Sequence, residues 1–252
     1  MPSLETALKP LAAKLARYGT FEAGDESALL SLPHQVKTFV KHHHLVRERD
    51  LTTDCYLMLS GYSIRHKIVA TGARQIVAIH MKGDVVDLQN SLLGVADHSV
   101  QMLTEGQIAV IPRDAIRQLA LDHPRVGLAM WYDTLVDGSI FREWIANVGR
   151  RDSLTRLAHL LCEFALRLEV AGLGEQSGFE LPMTQEELAD VLGLTSVHVN
   201  RTIKELERQE LIRRDRTRSL TINDWEGLAS VGDFDSTYLH LRNHQSAQLR
   251  RN

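Results

Sequence analysis

One stretch constrains this chain more than any other: Pro182 to Glu207, where two short helical patterns are separated by a single glycine. Thr184 is placed to cap the first helix. Glu187, three residues on, completes a capping box in which two orphan backbone donors are satisfied reciprocally. Leu188, Val191 and Leu192 then recur at helical spacing. Gly193 stands where the chain must turn sharply and tolerates a positive φ. Thr195 begins a second helix whose inward face is Val199, Ile203 and Leu206. Its outward face carries Ser196, Val197 or His198, Asn200, Arg201 and Lys204. The spacing predicts a helix-turn-helix.

The residue types on that outward face suit a duplex. A major groove admits one α-helix, whose first turns reach base edges. Arg can donate a bidentate pair to guanine, and Asn can pair with adenine. An ordinary helical hairpin with a solvated outer face would share this pattern, so the following residues decide. Arg213-Arg214-Asp215-Arg216-Thr217-Arg218-Ser219 joins two short β-type segments into a wing. From Arg201 to Arg218 there are seven Lys or Arg against four Asp or Glu. A basic run that adjoins a reading helix is best explained by contact with phosphates, so Arg213, Arg214, Arg216 and Arg218 are expected on the backbone.

The winged pattern from Thr184 to Ile222 resembles the DNA-binding domain of the Crp–Fnr superfamily of bacterial transcription regulators. The resemblance implies a recognition helix, Ser196–Leu206, docked in the major groove, double-stranded DNA as partner, and contact with RNA polymerase. In that family the helix usually carries Glu and Arg four residues apart as base readers. Here Arg201 matches the Arg, Val197 stands at the Glu position, and Ser196 and Asn200 depart from the commonest pattern. The mode of docking carries over; the target sequence does not.

The chain has 252 residues and a formal net charge of −3, so attraction to nucleic acid must come from a local patch rather than the whole molecule. No run approaches 18 apolar residues, and the start lacks a basic-then-apolar signal pattern, so a cytoplasmic protein is expected. An amphipathic helix is predicted over 3–18, with Leu4, Leu8, Leu11, Leu15 and Tyr18 on one side, and a short one over 25–30. Then the period changes. Short β-type runs at 36–40, 45–46, 55–60, 62–70, 74–80, 100–104 and 107–111 are separated by turn signals such as Gly61, Thr71-Gly72 and Lys82-Gly83-Asp84. Strands at this spacing predict a small antiparallel roll or barrel. The segment resembles the cyclic-nucleotide-binding β-roll of the same superfamily. The predicted class is α+β, with an N-terminal roll over 1–122, a long helix over 123–150, a winged helix-turn-helix domain over 151–230 and a polar tail over 231–252.

Within Val126 to Val148 fourteen of twenty-three residues are apolar, too many for a helix burying a single stripe. One face can pack on the roll and another on a second copy, which predicts a homodimer with Met130, Trp131, Leu135, Phe141, Trp144 and Val148 along the seam. In the family resembled, this helix is likewise the dimer seam. A helix from Leu154 to Val170 follows, capped by Asp152 or Ser153, with Leu157, Leu160, Leu161, Phe164 and Leu168 facing a core.

What the roll senses is less legible. Nucleotide-binding members of the family carry a Gly-Glu pair and, about a dozen residues later, an Arg that grips the cyclic phosphate. The corresponding stretch here offers Gly83, Asp84, Asp87, Leu88, Gln89, His98 and Ser99, with Asp in place of Glu and no Arg between 75 and 112. Acidic Asp84, Asp87 and Asp97 would repel a phosphate, so cyclic AMP is not expected. An iron–sulfur cluster needs about four Cys, and the chain has two, Cys55 and Cys162, far apart. No cofactor is expected. The alternative reading is a metal-dependent, cupin-like enzyme using His42, His44 and Glu48 in the roll. A third is a ligand-sensing module whose helix-turn-helix serves only protein contacts.

Overall fold

The structure is a computed structural model that describes residues 7–215 and 219–241. It begins with α1 (Lys9–Leu15) and α2 (Ala23–Leu30). Eight strands follow: β1 (Gln35–Phe39), β2 (His44–Val46), β3 (Asp54–Met58), β4 (Ser63–Ile68), β5 (Arg74–His80), β6 (Val85–Val86), β7 (Ser99–Met102) and β8 (Gly106–Pro112). They form two four-stranded sheets, ordered β1-β8-β3-β6 and β2-β7-β4-β5. Then come α3 (Arg113–Asp122), the 27-residue α4 (Pro124–Arg150) and α5 (Ser153–Val170). The last part contains β9 (Gly178–Glu180), α6 (Gln185–Leu192), α7 (Ser196–Arg208), β10 (Ile212–Arg214), β11 (Ser219–Ile222) and α8 (Trp225–Val231). Two compact units result. One runs from the N-terminal end to Ile68 and from Val77 to Gly138; the other takes Val69–Ile76 and the chain from Ser139 onward.

Strand alternation explains the first unit. β3 and β8 pair in antiparallel register, Cys55 opposite Ile111 and Leu57 opposite Ala109. These four side chains pack with Leu8, Leu11, Leu15, Leu29, Ile116, Leu119, Val126 and Met130 of the helices. Their neighbours in sequence, Tyr56, Met58, Ile108 and Val110, point the other way and meet Val46, Val100 and Met102 inside the roll. Successive side chains of a strand leave on opposite faces, so a strand covered on both sides must be apolar at nearly every position. Each fully buried Leu or Ile contributes about 1.5–3 kcal/mol. The two-residue β6 and the 3-10 turn Leu88–Ser91 were not foreseen, because so short a segment has no period to detect. Of the predicted N-terminal helix, the described part is α1 and its flanks; Leu4 lies outside the described residues.

The second unit is built on α5, which buries Leu157, Leu160, Leu161, Phe164 and Leu168. Asp152 is the cap, its Oδ1 accepting from the backbone N–H of Leu154 and Thr155 at 2.9 and 3.0 Å. The same helix also buries Glu163 and His159, each 1% exposed. A buried carboxylate persists only when its oxygens are satisfied. Trp144 Nε1 donates to Glu163 Oε2 (2.9 Å), the Tyr238 hydroxyl donates to the same oxygen (2.8 Å), and Arg167 Nη1 reaches Oε1 (3.2 Å). Here the polar-tail expectation is corrected as far as residue 241. Tyr238 stacks on the His159 ring, Phe234 meets it edge-on, and Leu239 is 2% exposed. Aromatic anchors and one hydroxyl aimed at a buried acid dock this segment, although its composition is polar. Among the described residues no helix is long and apolar enough to cross a membrane.

Gly61 occupies one of the tight backbone positions of the roll, beside Gly106. Its φ is 74°, and a Cβ there would stand 2.4 Å from the Glu105 carbonyl oxygen, which is backbone and cannot swing away. Gly61→Ala is therefore expected to cost at least about 2 kcal/mol from strain and overlap together, read as a lower urea midpoint.

Candidate nucleic-acid interface

The helix-turn-helix forms through local chemistry. Glu187 Oε2 accepts from the Thr184 N–H at 2.7 Å, and Thr184 Oγ1 accepts from the Glu187 N–H at 3.2 Å, closing the capping box. Thr184 is thus committed to capping α6. Gly193 ends α6 in the left-handed region (φ 63°, ψ 39°), and Val148 Cγ1 would lie 3.1 Å from any Cβ there. Thr195 Oγ1 accepts from the His198 N–H at 3.3 Å and caps α7. Behind α7, Val199, Ile203 and Leu206 are at most 2% exposed, so this face is anchored and the opposite one is presented.

The presented face holds Val197, Arg201 and Lys204, all exposed, with Ser196 and Asn200 half-buried beside them. Together with Gln185 of α6 they line an open groove. His198 is exposed, its Nδ1 3.1 Å from the Thr195 hydroxyl. No acidic residue occupies the first turn of α7. Carboxylates are confined to the far end, where Glu205 takes Arg208 Nε and Nη2 at 2.9 and 2.6 Å and Gln209 Nε2 at 2.7 Å. Those donors, Arg208 first, hold the Glu205 carboxyl at about 2, well below its usual range. The leading turns keep their positive field, reinforced by the helix N-terminus, while the trailing end is neutralised internally.

The wing is the β10–β11 pair, with Arg213 opposite Thr221 and Arg214 opposite Leu220. Arg213 is exposed. Arg214 is half-buried and its Nε lies 3.8 Å from Glu207, so it is partly tied to the helix. Arg216 and Arg218 lie outside the described residues.

Along α4 the structure corrects the expected seam. Met130 and Trp144 are 5% and 7% exposed and turn inward, Met130 into the core of the roll and Trp144 onto Glu163. Phe141 and Val148 are half-buried. Trp131 and Leu135 do face outward, at 64% and 56%, and are joined by Leu128 (62%) and Ile145 (72%), which the sequence reading did not select. Helical spacing puts these four on one face about 100° wide, a spacing that was available in the sequence.

In the roll the expected effector residues separate. Gly83 makes a turn at φ 91°. Asp84 accepts from Lys14 Nζ at 2.9 Å and from the Met81 N–H, and Leu88 joins the apolar core. Ser99 Oγ accepts from the Glu48 N–H at 3.0 Å. Asp87 and His98 do meet, Asp87 Oδ1 lying 2.8 Å from His98 Nε2, with Gln89 Nε2 at 3.3 Å. Arg65 of β4, 3% exposed, completes the group. Its Nε and Nη2 donate to Asp87 Oδ1 (3.1 and 2.9 Å) and its Nη1 to Asp137 Oδ2 (3.0 Å). Burial opposes ionisation of Asp87, yet the hydrogen bond from His98 and the Arg65 charge hold its carboxyl below the usual range. Asp87 adopts φ 58°, a left-handed conformation that these contacts impose. Arg65 was missed because it comes from a strand that precedes the cassette by about twenty residues.

The His42, His44 and Glu48 pattern does not converge. His43 stacks on Phe39, the His44 ring meets that of His66 edge-on, and Glu48 accepts from Lys67 Nζ at 2.6 Å. Among the described residues no cluster of three His, Cys, Asp or Glu is arranged to hold a metal.

Comparison with known proteins follows the same division. Residues 155–231 match the Crp-like helix-turn-helix domain family, and residues 36–123 match the cyclic nucleotide-binding domain family. The chain is 28% identical over 182 residues to the transcriptional activator protein FnrL of Cereibacter sphaeroides, covering 71% of this chain and 73% of that protein. It is 26% identical over 206 residues to the nitrogen fixation regulation protein FixK of Rhizobium meliloti, covering 81% and 90%. The fold is similar to that of FixK2 from Bradyrhizobium japonicum, with a TM-score of 0.72 at 21% identity, over 79% of this chain and 98% of that one.

The polar group of the roll has a measurable consequence through His80, whose Nε2 has no hydrogen-bond partner among the described residues. Burial first, and then the Arg65 charge, push its pKa from 6.5 down to about 4. Between those values the unfolded chain binds a proton that the folded chain refuses, so stability falls as pH drops through this window. By this one group, urea unfolding at pH 5 should show about 2 kcal/mol less stability than at pH 7. His80→Asn should lose that part of the difference.

Proposed function

The chain belongs to the Crp–Fnr superfamily and is a DNA-binding transcription regulator, not an enzyme, and we propose that it acts as a homodimer reading a palindromic site through α7. The observation that carries this reading is the presented face of α7. Arg201 and Lys204 stand on the exposed face of a helix with no carboxylate in its first turn. Arg201 and Asn200, with Ser196 and His198, read bases; Arg213 and the basic wing hold the phosphate backbone. Two such helices, related by a dyad, enter major grooves about 34 Å apart on one face of the duplex.

The second copy packs along α4. Leu128, Trp131, Leu135 and Ile145 form an exposed apolar line on a helix whose opposite side is already buried by Val126, Ala129, Met130 and Trp144. Exposed apolar side chains aligned this way are what an isologous helix-to-helix contact buries.

The regulator works without a cyclic nucleotide and without an iron–sulfur cluster. Among the described residues the guanidinium buried with Asp87 is already taken by two carboxylates, Asp87 and Asp137, and is not available to a phosphate. Cys55 and Cys162 are buried, and burial pushes each thiol up to about 12, so neither offers a thiolate ligand. Like other regulators of its kind it acts in the cytoplasm and meets RNA polymerase on the DNA.

Selection of bound duplexes from random DNA, with and without cyclic AMP, tests the reading. It should return one two-fold symmetric site under both conditions; absence of any retained duplex would refute it. On that site Arg201→Ala should lose about 5- to 150-fold per half-site and relax preference at one base pair. Leu135→Glu, at an exposed position, should halve the mass in sedimentation and weaken binding to the full site while the protomer stays folded.

A further inference from the structure

Val197 is 78% exposed, and of the exposed large hydrophobic side chains it is the one that stands on the recognition helix. It lies in the first turn of α7, on the side opposite the anchored Val199, Ile203 and Leu206, and no core cluster includes it. Its neighbours one turn on are Asn200 and Arg201, and it lines the same groove as Ser196 and Lys204. Among the described residues nothing packs on it enough to bury it. An apolar group so placed, among polar and basic side chains, must meet whatever enters the groove.

The chemistry of base edges narrows what that is. Guanine presents two acceptors in the major groove, cytosine an amino donor, adenine an acceptor and a donor. A valine pressed on any of these would strip water from a polar group and return no hydrogen bond, which is costly. Thymine alone presents an apolar feature, its 5-methyl group. Val is stiff at χ1, so little rotamer freedom is lost on contact. Resting on the DNA-reading role set out above, we propose that Val197 selects a thymine in each half-site by packing on its 5-methyl group, beside the base that Arg201 contacts. A carboxylate at position 197 would instead accept from a cytosine amino group, so the apolar side chain shifts the site toward A·T.

The test starts from the site that the full-length protein selects. Each thymine of a half-site is replaced singly by deoxyuridine, which removes the methyl and leaves O4 and the pairing unchanged. One position per half-site should lose about three- to fivefold in affinity, the worth of one buried methyl. In Val197→Ala, an exposed position that leaves the core untouched, that position should become indifferent to the methyl while the others behave as before. Placing 5-methylcytosine there should bind wild-type protein more tightly than cytosine does. A protein that holds its site yet is indifferent to every uracil, or whose uracil sensitivity survives in Val197→Ala, would overturn this assignment alone. Failure to retain any duplex would overturn the DNA-reading role as well.

Discussion

The outward face of the helix-turn-helix depends on one-sided burial of α7. Val199, Ile203 and Leu206 are almost wholly enclosed, and a helix gripped along one line must offer the other. Gly193 sets the direction of that grip. Its left-handed turn lets α6 end and α7 begin within three residues, and the reciprocal caps at Thr184 and Glu187 fix where α6 starts. The outward set, Val197, Arg201 and Lys204, is a geometric consequence of the inward set. Charge follows the same logic, because acids are held at the far end by Arg208 and the leading turns are free of them.

The roll solves a different problem with a buried polar group. Arg65, Asp87 and His98 are almost fully enclosed, and ions taken out of water are tolerated only when paired closely. Asp87 supplies the anion that a basic pocket would otherwise seek from a ligand, and it is held in a left-handed backbone conformation to do so. Glu163 plays the comparable part in the second unit, where three donors from α4, α5 and the segment after α8 meet on one carboxylate. Both groups are costly to break, and both tie together segments distant in sequence.

How far these features could be read in advance depended on whether their cause was local. The capping box, the glycine turn and the inward face of α7 are set by residues within a few positions of one another, and the structure places them as the spacing implies. The roll was legible as short apolar runs set between turn signals; because both faces of β3 and β8 are packed, no alternation marks them. The outward apolar face of α4 was legible only in part. Periodicity reveals that a helix has more apolar surface than one stripe, yet it cannot say which stripe the protomer itself consumes, so Met130 and Trp144 were assigned to the wrong side. The polar group of the roll was legible only in part for a related reason: a cassette read as contiguous sequence brings in Asp87, Gln89 and His98 but omits Arg65, which the fold sets against Asp87.

Sequence by itself therefore determined the class of fold and the helix-turn-helix, because periodicity, caps and turns are interactions between near neighbours along the chain. Tertiary structure alone decided which apolar residues of α4 remain outside, that Asp87 is answered by Arg65 from another strand, and that the segment after α8 is docked on a buried glutamate. Those outcomes turn on which distant groups meet once the chain is folded, and burial sets their strength: a charge with a partner 3 Å away and no water nearby behaves unlike the same charge in an extended chain.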